Sequence, residues 1–64
     1  MEKMSYRKGR NKIILLELED GSYKYSVGYL SLDGCYRFNY NNYSKALKQF
    51  IKCIEKMNGL RKTF

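Results

Sequence analysis

Lys45, Lys48, Lys52 and Lys56 recur at intervals of three and four residues in the last third of a 64-residue chain. On an α-helix that spacing lines the four ammonium groups along one strip. Like charges so placed repel by about 0.3 kcal/mol per pair, and Glu55 is the one acid among them. A second basic group, Lys3, Arg7, Lys8, Arg10 and Lys12, stands against Glu2 at the start of the chain, and Arg61 and Lys62 follow near its end. The total is 13 Lys and Arg against 6 Asp and Glu, a formal charge of +7. The middle differs: Glu17, Glu19, Asp20 and Asp33 face only Lys24 and Arg37. Segregated cations of this kind suit phosphates or an acidic protein surface. Lysine supplies point charges rather than bidentate base contacts, so recognition through the helix strip would be weakly sequence-specific.

Other chemistry has little to stand on. There is no His, and the two cysteines, Cys35 and Cys53, are far apart. No four-ligand zinc pattern and no cofactor-binding motif follows from that inventory, and none is expected. Glu17 and Glu19 alternate on one strand and read as solvated carboxylates rather than a tuned acid–base pair. Cys35 near Arg37 lacks a base partner. The chain reads as non-enzymatic. No apolar run nears the roughly 20 residues needed to span a bilayer. Two lone cysteines without a leader sequence fit a reducing, cytoplasmic setting.

These charges need elements to carry them. Tyr23, Tyr25, Val27 and Tyr29 alternate with Ser22, Lys24, Ser26 and Gly28, the period of a half-buried strand, between Asp20-Gly21 and Asp33-Gly34. Asp-Gly is a strong hairpin signal. Strands are therefore expected over 12–19, 22–30 and 35–40. Folding about Asp20-Gly21 sets Leu18 against Tyr23, Leu16 against Tyr25, Ile14 against Val27 and Glu17 against Lys24. Folding about Asp33-Gly34 sets Tyr29 against Phe38 and Val27 against Tyr40. Tyr36, Phe38 and Tyr40 then point inward. Tyr43, Leu47, Phe50, Ile51, Ile54 and Met57 form an amphipathic helical stripe, with Asn42 or Ser44 as N-cap and Asn58-Gly59 as stop, Leu60 packing beyond it. The expected fold is α+β: a three-stranded antiparallel β-meander followed by one C-terminal amphipathic helix on one sheet face, in the order β-β-β-α. Residues 1–11 read as a flexible basic arm, 12–60 as the domain and 61–64 as a basic tail.

One helix covers one face of such a sheet, and the other stays open. In this register Ile13, Leu15, Leu30 and Arg37 point outward on the open face, a surface for a partner protein or a second copy of the chain. The stretches YKYSVGYLSLDG and NYSKAL, in a β-β-β-α order behind a basic arm, resemble the AP2-like arm-binding domains of tyrosine integrases. That resemblance implies a DNA-reading sheet face, and the sheet expected here departs from it by being neutral to acidic. The leading expectation is a small basic module that binds nucleic acid or a nucleoprotein through Arg7, Lys8, Arg10, Lys45, Lys48, Lys52, Lys56, Arg61 and Lys62. The alternative is a phage or mobile-element inhibitor, of the anti-CRISPR type, that docks on a nucleic-acid-handling protein.

Overall fold

A computed structural model describes residues 1–64. Four strands follow one another as an antiparallel meander, β1 Glu2–Lys8, β2 Asn11–Glu17, β3 Tyr25–Ser31 and β4 Gly34–Tyr40, and helix α1 spans Tyr43–Met57. The α+β class and the single C-terminal helix agree with the sequence, but the sheet has four strands, not three. The stretch expected as an arm is the edge strand β1. Lys8-Gly9-Arg10-Asn11 closes its hairpin with positive φ at Gly9 (61°) and at no non-glycine residue, as a turn with Gly at its first central position requires.

The β2–β3 connection corrects the expected register. Glu17 pairs with Tyr25, Leu15 with Val27 and Ile13 with Tyr29. The loop is centred on Gly21, whose φ is 104°, rather than between Asp20 and Gly21. One residue of slip turns every side chain of a strand to the other face. Ile13 and Leu15 are accordingly 0% exposed beneath the helix, so neither belongs to an open protein-binding face. Glu17 leaves Lys24 and pairs with Lys3 at 3.2 Å; a bulge between Glu2 and Met4 sets Lys3 out of the ladder.

The β3–β4 hairpin slips by two residues instead. Tyr29 meets Tyr36 and Val27 meets Phe38, because Leu32-Asp33 forms the turn and Gly34, at φ 147°, already opens the strand. An even slip preserves facing, so Tyr36, Phe38 and Tyr40 remain on the helix side as expected.

The core is Ile13, Leu15, Val27 and Tyr29 from the sheet and Ala46, Phe50 and Cys53 from α1. The helix is rolled from its expected seam. Ala46, Gln49 and Cys53 are buried, while Ile51 is 48% and Tyr43 39% exposed. The sheet presents bulky rings, so small helix residues permit the closest approach of the two layers. Gln49 is tolerated there because Tyr40 Oη donates to its Oε1 (3.1 Å) and its Nε2 donates to Cys53 Sγ (3.6 Å). At the start of α1, Asn42 Oδ1 accepts from the Lys45 amide at 3.2 Å. At its end, the Leu60 amide donates to Glu55 O and the Gly59 amide to Lys56 O, with Gly59 at φ 77°, the Schellman pattern. The Leu60 side chain itself stays exposed and makes no packing contact of the expected kind.

Candidate functional site

Antiparallel order decides which charges meet. β1 and β3 run toward the end of the molecule that carries the Gly9-Arg10 and Leu32-Asp33 turns, and α1 ends there too. Arg7, Lys8, Arg10 and Lys12 surround the first turn; Lys56, Arg61 and Lys62 come from the helix end and the tail. Lys8 Nζ donates to Asn58 Oδ1 at 2.6 Å, which ties hairpin to helix across fifty residues of chain. The opposite end carries Glu2, Glu17, Glu19 and Asp20. The molecule is 32 Å long and 17–18 Å across; one end is strongly basic, and the other mixes these four acids with Lys3 and Lys24. Cations also complement the negative C-terminal end of a helix dipole, which accounts for Lys8 and Lys56 but not for Arg7, Arg10 or Lys12.

The face of the sheet away from α1 is built in three rungs. The first is Arg7, Lys12, Leu30 and Cys35; the second is Ser5, Ile14, Gly28 and Arg37; the third is Glu2, Leu16, Ser26 and Asn39. Arg7 and Lys12 are direct cross-strand partners. Like charges placed opposite one another destabilise a sheet. Arg37 Nε donates to Ser26 Oγ at 2.8 Å and covers it, leaving Ser26 buried. That bond anchors the guanidinium and leaves its terminal nitrogens free of protein partners. Gly28 keeps the centre of the face shallow, and a Cβ there would lie 3.3 Å from Ile14 Cγ2. The face thus holds three cations and one acid, with Ile14, Leu16 and Leu30 between them. Its charge is the reverse of the expected one, since the one-residue slip removes Glu17 and brings in Lys12.

The expected site residues divide into three groups. Arg7, Leu30 and Arg37 lie on the uncovered face, now joined by Lys12, while Ile13 and Leu15 have moved into the core. Lys8, Arg10, Lys56, Arg61 and Lys62 gather at the basic end. Lys45, Lys48 and Lys52 lie along the helix, in the other layer. Three of the nine are spoken for: Lys8 by its bond to Asn58, Lys56, whose Nζ donates to Lys62 O at 3.0 Å and sits 5.5 Å from the Phe64 ring centroid, and Arg61, which pairs with Glu55 at 3.1 Å. The arm and helix cations therefore do not form one continuous strip; the basic end joins two separate surfaces.

Phe64 had no assigned role in the sequence. Its ring packs 5.2–5.3 Å from those of Tyr29, Tyr36 and Phe38, on the helix side of the sheet. Burial, with Cys53 and Asp33 nearby, pushes the Tyr29 phenol above its ordinary value, and burial does the same for Tyr40 and the Cys53 thiol. None of these groups is turned into a nucleophile by its surroundings. No helix is long and apolar enough to cross a membrane.

No family model matches the chain, and no curated protein or solved structure matches it either.

Proposed function

We propose that the chain is a nucleic-acid-binding module that applies its uncovered sheet face and adjoining basic end to a phosphate backbone. The observation that carries this reading is the Arg7–Lys12 pair, two cations set directly opposite each other on a face that no element covers. The pairing costs the fold stability, and an anionic partner relieves it. Arg37 adds a guanidinium two strands away, anchored through Nε and able to offer its remaining N–H groups to a base edge or a phosphate. The cations on this sheet face lessen one departure from the AP2-like resemblance, the fourth strand adds another, and fold likeness alone does not decide function.

The test is fluorescence anisotropy with labelled duplex DNA, single-stranded DNA and RNA between about 50 and 200 mM salt. Binding that weakens steeply with salt is expected. Replacing Arg7 and Lys12 by Ala should lower the salt slope by about two. Unchanged binding in that double variant removes the sheet face from the site.

A second reading rests on the apolar residues of the same face. Leu30 is 42% exposed, with Ile14 and Leu16 on the next two rungs of the same face, which suits an acidic protein that itself handles nucleic acid, as an inhibitor from a mobile element would meet. That reading expects a stoichiometric complex lost on Leu30→Asp, with no salt-steep binding to nucleic acid alone.

A further inference from the structure

Where α1 stops, the sheet continues, and a surface cavity of about 310 Å³ opens between the helix end and the β3–β4 turn. Asn11, Tyr29, Ser31, Asp33, Tyr36 and Lys56 line it. That volume is at the small end of ligand sites. Leu32 completes the lining, and several of the polar groups there are unspent. The Asn11 amide, the Asp33 carboxylate and the Tyr29 and Tyr36 hydroxyls appear in none of the protein's side-chain hydrogen bonds or ion pairs. Tyr29 is only 6% exposed, lines the cavity, and its hydroxyl has no hydrogen-bond partner in the protein. Tyr36 is 45% exposed, and its ring lies against those of Phe64, tilted at 5.2 Å, and Tyr29, edge-on at 6.1 Å. Ser31 Oγ accepts from the Asp33 amide and donates to Gly34 O, which fixes the turn that carries the carboxylate. Lys56 brings an ammonium to the rim, with donors to spare after its bond to Lys62 O.

We infer that this cavity receives one unpaired nucleobase bearing an exocyclic amino group. The inference rests on the nucleic-acid reading and adds a site on the opposite side of the sheet. Tyr36 supplies the stacking surface, which every base can use. Asp33 supplies an acceptor-only carboxylate, which favours the amino groups of adenine and cytosine and repels the carbonyl edge of thymine. Asn11 and the two phenols complete the polar edge. Lys56 and the neighbouring Arg10 and Lys62 take the flanking phosphates. A strand lying across the basic end would thus continue from the sheet face into the cavity.

Short labelled homopolymers of dA, dC and dT, measured beside duplex DNA at the same low salt, test this. The dA and dC strands should bind about fivefold or more tightly than dT. Asp33→Ala should abolish that preference and leave dT binding intact. Tyr36→Ala should weaken all three by about tenfold and leave duplex binding unchanged. Both residues are exposed, and cooperative urea unfolding shows that the variants fold. Equal affinity for the three strands, or a preference that survives Asp33→Ala, overturns the cavity while duplex binding upholds the broader proposal. Failure of every nucleic acid to bind overturns both.

Discussion

Leu15 and Leu16 are neighbours on one strand, yet they belong to surfaces with opposite purposes. Leu15 is sealed between the sheet and α1, with Val27 beside it; Leu16 lies on the bare face, between Glu2 and Ser26. The covered face is aromatic and aliphatic, and its most deeply buried amide, that of Gln49, is hydrogen-bonded. The bare face sets cation against cation and leaves arginine donors unspent. The difference teaches that the covered face is arranged for stability, and the bare face retains a feature that stability disfavours.

The largest effect expected from this comparison is on folding. Leu15→Ala should cost about 3 kcal/mol, a large share of the roughly 5 kcal/mol available to a small domain. Leu16→Ala should cost less than about 1 kcal/mol, in line with a surface change. Paired urea titrations give both numbers, and equal losses would mean that the strand faces the other way.

Next comes the helix start. Asn42→Ala removes the acceptor for the Lys45 amide and should cost about 1 kcal/mol, read as a shift in urea midpoint with an unchanged slope. A smaller effect concerns pH. The Cys53 thiol is held above its ordinary value of 9.0, and Tyr29 and Tyr40 above 10.0. Each is an acid that the folded state keeps protonated. Its stabilising contribution is therefore complete below the ordinary value and is lost as pH rises through the raised one. Stability should decline above about pH 9, with the earliest part of that decline absent in Cys53→Ala.

The parity of β3 and β4 could be read from the alternating rings of Tyr25, Val27, Tyr29, Tyr36, Phe38 and Tyr40, because the second turn departs from expectation by an even step. The facing of β2 could not. Ile13, Ile14, Leu15 and Leu16 form an unbroken apolar run, so either alternate pair could face the core, and a loop one residue wider reverses the choice. Strand β1 was hidden by its charges, although Met4 and Tyr6 alternate ahead of a Gly-Arg turn. The helix was legible in extent and caps, but its roll was not. Ala46 and Cys53 lie innermost because the rings beneath them need room, which is a property of the sheet and not of the helix. Of the candidate site, the residue types were legible. The convergence of Arg7 and Lys12 with Arg37 on one face, and of Tyr36 with Asp33 and Lys56 around one cavity, required the register.

Lys12→Glu tests the central claim most directly, because it sets stability against binding in one variant. The change turns the opposed cations into an ion pair with Arg7, so the urea midpoint should hold or rise, by about 0.5 kcal/mol at most. Affinity for duplex DNA at low salt should fall by about tenfold or more. A variant that folds as well as the parent and binds as tightly would contradict the assignment of the uncovered face to nucleic acid.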